Sequence, residues 1–230
     1  MVIHGLQKLT LVDFPSVVAS IVFTGSCNFR CPFCHNSSLV LNPSSQPIIP
    51  EPELFDFLKQ RLGFLEGVVV TGGEPTLQKD LIPFLLKIKQ LGYKVKLDTN
   101  GYRPDTLNDA IESGAVDYVA MDIKNSLDMY PKTAGLVFFT PENIEKSVSL
   151  LLENRVKYEF RTTVVKELHS KENFEKIGSW VKGCENYYLQ SFIQSANTIE
   201  KGFSSPSIEE LETYAKTLRT YIKNVQVRDL

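Results

Sequence analysis

Three cysteines fall within eight residues, in the segment Cys27-Asn-Phe-Arg-Cys31-Pro-Phe-Cys34. Their spacing is C-x3-C-x2-C, and the fourth cysteine, Cys184, follows 150 residues later. Closed zinc sites and closed iron–sulfur cubanes usually take four protein ligands. Three thiolates on a four-iron cluster leave one iron without a protein ligand, and such an iron can bind and polarise a small molecule. The motif therefore predicts an open metal cluster.

Two other metal sites have to be weighed against an open cluster. A bacterial ferredoxin would need C-x2-C-x2-C and a fourth cysteine followed by proline, and the chain has neither. A structural zinc site is the alternative that the residues leave open, with His35 or the distant Cys184 as a fourth ligand. Otherwise we expect Cys184 to be a small, buried apolar residue.

A second motif, Thr71-Gly-Gly-Glu-Pro75, follows a short valine-rich run. Paired glycines let the backbone approach a ligand closely, and the carboxylate of Glu74 can accept hydrogen bonds from an ammonium group. The motif is not a phosphate loop, because no Gly-Lys-Ser/Thr follows, and it lacks the G-x-G-x-x-G spacing of a dinucleotide site. Taken alone, it would be explained as an ordinary turn between a strand and a helix.

The composition narrows the class of protein. The chain has 230 residues, 43% of them apolar, and a formal charge of −2, which suits one domain with a full core. This balanced charge argues against a nucleic-acid partner. No apolar stretch approaches the roughly 18 residues of a membrane span, and the N-terminus lacks a signal-peptide layout. We therefore expect a cytoplasmic protein without membrane contact, whose reduced cysteines serve as metal ligands.

Strand and helix patterns alternate along the chain. The predicted strands cover residues 17–24, 67–71, 94–99, 116–123, 157–165 and 187–192, with a possible edge strand at 225–227. The predicted helices cover residues 52–62, 80–91, 104–113, 141–154, 171–182 and 207–223. Six successive βα units predict parallel strands with right-handed crossovers, too few for a closed eight-stranded barrel.

The predicted fold is α/β, an open partial (βα)6 barrel in a single domain over residues 1–230. Residues 1–15 are expected to form an N-terminal extension, with a short hairpin over 6–15, and residues 16–230 the core. Ligands of parallel α/β sheets bind at the carboxyl ends of the strands. The cysteine segment and the Thr71–Pro75 motif each directly follow a predicted strand, so we expect both at a ligand site.

The ordered series of motifs resembles the radical S-adenosylmethionine (radical SAM) superfamily. Beyond the cysteines and Thr71–Pro75, it includes Asp98-Thr-Asn-Gly101, Met121-Asp-Ile-Lys124 and Arg161-Thr-Thr-Val-Val165, and it opens with Gly5-Leu-Gln-Lys-Leu-Thr-Leu-Val-Asp-Phe-Pro15. Covering nearly the whole chain, the series looks like the activating proteins of anaerobic ribonucleoside-triphosphate reductase. It is also similar to the pyruvate formate-lyase activating enzymes.

The resemblance implies a role for individual residues. Cys27, Cys31 and Cys34 would hold a [4Fe–4S] cluster, and the amine and carboxylate of S-adenosylmethionine (SAM) would chelate the fourth iron. The remaining cofactor-binding residues would be Phe33, Gly72, Gly73, Glu74, Asp98, Asn100, Asp122, Lys124 and Arg161.

Among these residues the resemblance implies a division of tasks. Phe33 would pack against the adenine, and the Gly72–Glu74 turn would bind the amine. Asp98 and Asp122 would help to hold a monovalent cation beside the cofactor carboxylate, while Lys124 and Arg161 would offset its charge or meet the target. The simpler alternatives are a plain turn at Asp98–Gly101 and surface ion pairs for the two basic residues. His4 and His169 are expected at the surface.

The implied function is activation of a glycyl radical enzyme, namely anaerobic ribonucleotide reductase. Flavodoxin or ferredoxin would supply an electron for cleavage of SAM, and the resulting radical would take a hydrogen atom from a glycine of the reductase. The alternatives are a radical SAM enzyme that acts on another glycyl radical enzyme, peptide or small molecule, and a non-enzymatic metal-binding scaffold.

The chain departs from the family pattern at three places. Ser16 and Ser26 stand where the family usually has glycine, so the loop conformation there is open to question. The stretch Gln190-Ser-Phe192 replaces the Pro-Phe-His-like stretch of pyruvate formate-lyase activating enzymes. The third departure weakens the case for pyruvate formate-lyase as the target.

Overall fold

The structure is a computed structural model that describes residues 1–228, and strands alternate with helices along it. The strands are β1 (Ile3–Thr10), β2 (Ala19–Thr24), β3 (Gly67–Gly72), β4 (Lys94–Thr99), β5 (Tyr118–Asp122), β6 (Lys157–Val164), β7 (Asn186–Ser191) and β8 (Asn224–Arg228). The α-helices are α1 (Ser37–Leu41), α2 (Glu51–Gln60), α3 (Leu81–Gln90), α4 (Pro104–Glu112), α5 (Tyr130–Ala134), α6 (Pro141–Leu152), α7 (Lys171–Trp180) and α8 (Ile208–Leu218). Short 3-10 turns cover Pro43–Ser45 and Pro75–Leu77.

The sheet is mostly parallel and is not closed. Strands β2, β3 and β4 pair in parallel, as do β6, β7 and β8, whereas β1 pairs antiparallel with β2. Strand order follows the chain, with β1 and β8 at the edges. The predicted α/β fold with parallel strands in an open partial barrel is confirmed.

Three details of the predicted element map are wrong. Ile3–Thr10 is a strand of the sheet rather than the start of a hairpin over 6–15. Its burial does not alternate, so the usual strand signal is weak. The last helix ends at Leu218 instead of residue 223, because the chain turns there toward β8. Helices α1 and α5, five residues each, are too short to leave a periodic pattern.

The chain forms two compact units. The first comprises Met1–Asn28, Ser38–Ala120 and Arg155–Lys157, and the second comprises Phe29–Ser37, Met121–Asn154 and Tyr158–Leu230. A core cluster of the first unit contains Phe14, Val17, Ala19, Ile21 and Val69. In the second unit Phe174 of α7 stacks on Tyr214 of α8 with ring centroids 4.7 Å apart. Organisation of the whole chain as a single domain stays a prediction.

Ser16 and Ser26 both adopt the left-handed backbone conformation, with φ of 59° and 66°. They are the two positions at which the sequence departs from the glycine expected of the family. A residue with a side chain costs about 1–2 kcal/mol in this conformation. The chain therefore keeps the left-handed backbone conformation that suits glycine, although serine occupies both positions, and the folded state is strained there.

Ser16→Gly should raise the free energy of unfolding by about 0.5–1 kcal/mol, because relief of the left-handed penalty exceeds the extra chain entropy of glycine. Urea denaturation measures the change. Ser45→Gly is the matched control, since Ser45 is exposed and has a negative φ, and this substitution should lower stability slightly. Equal destabilisation by both substitutions would contradict the strain at Ser16.

Candidate functional site

In the first unit, the turn after β3 packs against the backbone that leads to Cys27. The Gly73 N–H donates to the Thr24 carbonyl at 2.8 Å, and the Glu74 N–H donates to the Ser26 carbonyl at 2.8 Å. A Cβ at Gly73 would lie 1.9 Å from the Ser26 oxygen, and one at Gly72 would lie 2.4 Å from the Thr24 oxygen. Only glycine fits at these two positions, and the pair fixes residues 24–26 just ahead of the first cysteine.

Glu74 joins the turn after β3 to the turn after β4. Its carboxylate is 1% exposed and accepts hydrogen bonds from Thr76 N (3.1 Å), Thr76 Oγ1 (2.5 Å), Thr99 Oγ1 (2.8 Å) and Asn100 N (2.7 Å). Burial raises the pKa of Glu74, and the hydrogen bonds from Thr76, Asn100 and Thr99 oppose that rise. The side chain thus holds two loops in place, and its contact with a cofactor amine stays a prediction.

Asp98, at the end of β4, forms a buried ion pair with Lys96. The Lys96 ammonium lies 2.6 Å from Asp98 Oδ1, and the two residues are 1% and 8% exposed. Lys96 is not among the site residues that the sequence predicts. The spacing does predict that the two side chains are neighbours, because residues two apart on a strand share one face and Lys96 precedes Asp98 by two residues.

Asn100 follows β4 and connects that turn to the cysteine segment. Its Nδ2 donates to Asn28 Oδ1 at 2.8 Å and lies 3.8 Å from Cys27 Sγ. Its backbone N–H is the one bound by Glu74. Of the predicted site residues, the first unit therefore links Cys27 to Asn100, and Asn100 to Glu74 and the glycine turn.

The second unit carries Cys31, Phe33 and Cys34. The Cys34 N–H donates to the Cys31 carbonyl at 3.0 Å, which closes a tight turn. Phe33 is 5% exposed and packs edge-on against Phe192, with ring centroids 6.3 Å apart. The ring of His35 stacks on Phe192 with ring centroids 5.5 Å apart. The cysteine turn is thus anchored on the segment after β7. Adenine contact by Phe33 stays a prediction.

Burial governs the protonation of these thiols. It raises the pKa of Cys31 to about 11, which the nearby Lys124 partly opposes, and it also raises the pKa of Cys34. Both thiols are therefore protonated at neutral pH in the absence of a bound cation. A metal that binds thiolates displaces these protons, so the two groups suit metal binding better than free nucleophilic chemistry.

Asp122, at the end of β5, forms a charged triad with Lys124, two residues later, and Arg161, within β6. Lys124 Nζ lies 2.8 Å and Arg161 Nε lies 2.5 Å from the Asp122 carboxylate. Burial alone would raise the pKa of Asp122, but Arg161 and Lys124 hold it well below its usual range. Burial alone would lower the pKa of Lys124, but Asp122 raises it. The triad keeps one net positive charge and suits a carboxylate ligand.

His169 contacts the backbone of this triad at Lys124, and its predicted surface position is wrong. The residue is 5% exposed, and its Nε2 lies 2.9 Å from the Lys124 carbonyl. Its Nδ1 lies 3.0 Å from the Val165 amide nitrogen. These contacts fit the neutral tautomer, in which Nε2–H donates to Lys124 and Nδ1 accepts from Val165. No local sequence signal separates such a histidine from an exposed one.

The unfolding free energy should fall between pH 7.5 and pH 5 as His169 binds a proton in the unfolded chain but stays neutral in the folded one. Burial lowers the pKa of His169 below its usual value of 6.5, so the unfolded chain binds the proton first. The stabilisation is fully present above about pH 6.5 and is lost as the pH falls through the folded-state pKa. Urea titrations across this range, with His169→Gln as the control, should show a shallower slope for the variant. An unchanged slope would contradict a neutral, buried His169.

The donor set fits an iron–sulfur cluster in its chemistry. Three soft thiolates are ligands of the kind that iron–sulfur clusters take. Within residues 1–228, no group of three His, Cys, Asp or Glu side chains stands ready-made for a metal ion, so the assignment rests on the cysteine motif and on donor chemistry. Cys184 is 3% exposed, as expected for a structural residue, and burial raises its pKa to about 12.

The sequence profile of the radical SAM superfamily matches residues 21–180. The chain belongs to the radical SAM superfamily. Members of this family use a [4Fe–4S] cluster and SAM, which agrees with the predicted cofactors. None of the helices in the described part of the chain is long and apolar enough to cross a membrane.

Two relatives place the chain with the glycyl-radical enzyme activating enzymes. It is 32% identical over 238 residues to a Methanocaldococcus jannaschii protein, MJ1227, named as a candidate glycyl-radical enzyme activating enzyme, covering 99% of this chain and 96% of the relative. It is 29% identical over 190 residues to the pyruvate formate-lyase-activating enzyme of Clostridium pasteurianum, covering 80% and 77% of the two chains.

The fold has a close counterpart among solved structures. Streptococcus suis SuiB, in a structure bound to S-adenosylmethionine, superposes with a TM-score of 0.69 at 16% identity. The match covers 90% of this chain and 51% of SuiB, so the chain spans about half the length of that protein. At this identity the match supports the fold alone.

Proposed function

We propose that this radical SAM protein generates the glycyl radical of anaerobic ribonucleoside-triphosphate reductase. The observation that carries the proposal is the C-x3-C-x2-C segment, whose first cysteine follows a backbone held by the Gly72-Gly73 turn. The relationship to activating enzymes supports it. The stretch Gln190-Ser-Phe192, which replaces a Pro-Phe-His-like stretch, weakens the case for pyruvate formate-lyase as the target.

The residues divide the work of the proposed site. Cys27, Cys31 and Cys34 hold the [4Fe–4S] cluster. In the second unit, the net positive charge of the Asp122 triad attracts the carboxylate of SAM, and Phe33 offers an apolar surface to its adenine. In the first unit, the Gly72–Glu74 turn binds the amine of SAM.

The proposed reaction consumes one electron and one SAM for each radical made. A reduced cluster held by Cys27, Cys31 and Cys34 would supply the electron that breaks the C5′–S bond of SAM, which would give methionine and a 5′-deoxyadenosyl radical. A Cα–H bond of the target glycine then breaks, and 5′-deoxyadenosine and a glycyl radical form. The proposal includes flavodoxin or ferredoxin as the cytoplasmic electron donor.

Electron paramagnetic resonance tests the proposal directly. Reduced, anaerobically reconstituted protein is mixed with SAM and candidate reductase, with Cys31→Ala as the matched control. We expect a glycyl-radical signal from the complete wild-type mixture, which disappears when any one component is omitted or when the control replaces the wild type.

Two other results would redirect the assignment. Cleavage of SAM without a glycyl radical would indicate another target, peptide or small molecule. The absence of charge-transfer absorbance after reconstitution with iron and sulfide, together with no SAM cleavage, would indicate a metal-binding scaffold instead.

A further inference from the structure

The side-chain amide of Asn100 has a fixed orientation. Its Oδ1 accepts a hydrogen bond from the Tyr102 backbone N–H at 3.0 Å. A backbone N–H can only donate, so the atom facing it must be the oxygen. The Asn100 NH2 group therefore faces Asn28 and Cys27, at 2.8 Å from Asn28 Oδ1 and 3.8 Å from Cys27 Sγ.

The orientation of Asn28 follows from that of Asn100. Because Asn28 presents its oxygen to the Asn100 donor, its own NH2 group points elsewhere. That nitrogen is buried and has no hydrogen-bond acceptor among residues 1–228. A buried donor left without a partner is destabilising, and native proteins rarely leave one without a reason. The Asn28 Oδ1 lies 4.0 Å from Cys27 Sγ, so the amide stands beside a predicted cluster ligand, and the missing acceptor for its nitrogen is one that would arrive with the cluster.

We propose that Asn28 and Asn100 donate N–H hydrogen bonds to sulfur at the Cys27 corner of the cluster and raise its reduction potential. The inference rests on the proposed cluster at Cys27. Donors to cluster sulfur stabilise the reduced state, which carries one more negative charge, and outer-shell hydrogen bonds are a recognised control of cluster potential. The amide pair thereby makes the cluster easier for an external donor to reduce. It acts on the potential and positions the thiolate, without touching the target.

The first test measures the potential. Asn28→Leu removes the unpartnered donor with little change in volume, and Asn42→Leu is an exposed asparagine control. At a fixed solution potential, we expect a tenfold lower ratio of reduced to oxidised cluster in Asn28→Leu, equal to 59 mV for a one-electron couple. Asn42→Leu should match the wild type. A ratio within twofold of the wild type, at full iron content, would overturn the inference.

The second test detects the contact itself. Pulsed electron paramagnetic resonance on reduced wild-type protein with 15N-labelled asparagine should show hyperfine coupling to side-chain nitrogen, and this coupling should weaken in Asn28→Leu. If Asn28→Leu fails to take up iron, the wild-type spectrum alone tests the inference. A wild-type spectrum without this coupling would contradict hydrogen bonding of Asn28 and Asn100 to the cluster. If wild-type protein assembles no cluster at all, both the proposed function and this inference fail.

Discussion

Gly73→Ala should lose most of its iron uptake while keeping its fold. The added Cβ would lie 1.9 Å from the Ser26 carbonyl oxygen, which is backbone and cannot rotate aside. The segment before Cys27 must therefore move by about 1 Å, and displacements of that size can lower a catalytic rate by roughly 100-fold. We expect iron content after reconstitution to fall at least several-fold, and SAM cleavage to fall by about two orders of magnitude.

Gly5→Ala is the matched control for this clash. It lies in the same unit, and its Cβ would meet only the Phe23 side chain, at 3.3 Å, which can adjust. Circular dichroism and thermal unfolding of both variants show whether the fold is kept. A Gly73→Ala protein with wild-type iron content and cleavage rate would mean that the two loops are not tightly coupled.

Much of this fold is predictable because its strands are buried on both faces. Such strands appear as continuous apolar runs, as in residues 21–23 and 68–70, and they can be found without knowing the partner strand. The cysteine spacing is equally local, so the motif and the turn after β3 are found from the sequence alone. The edge strand β1 lacks this signal, because only its two end residues are buried.

The missed parts of the site depend on distant partners. His169 is buried because the chain places its ring against the Lys124 carbonyl, 45 residues earlier. The orphaned Asn28 donor likewise depends on Asn100, 72 residues later in the chain. Nothing in the local sequence marks either residue. The departure at Ser26 was visible in the sequence, but only the backbone shows that serine keeps a positive φ there.

Lys96→Met should destabilise the protein strongly and make it respond to alkali cations. Removing one member of a buried ion pair costs about 3–5 kcal/mol. Asp98, 8% exposed, would lose the ammonium group that now lies 2.6 Å from its carboxylate. For a chain of this size, we expect the thermal midpoint to fall by roughly 10 °C in tetramethylammonium chloride. Potassium or sodium should restore part of this loss by taking the place of the missing ammonium group.

Lys94→Met provides the matched control on the same strand. The Lys94 side chain is 56% exposed, and its ammonium lies 3.9 Å from a Glu66 carboxylate that is equally exposed. Loss of such a pair costs at most about 1 kcal/mol. Equal shifts for the two variants, in either salt, would contradict a special role for Lys96.

The effect of salt type on the SAM affinity of the wild-type protein tests whether the expected monovalent cation binds. In the first unit, Asp98 already has an ammonium group 2.6 Å away, and in the second, Asp122 is held by two basic side chains. Both carboxylates are thus neutralised by the chain itself. Affinity for SAM should therefore change less than about twofold, or 0.4 kcal/mol, when tetramethylammonium replaces potassium at constant ionic strength. A tenfold loss in the wild type would show that an alkali ion competes successfully with Lys96 for Asp98 once the cofactor is bound.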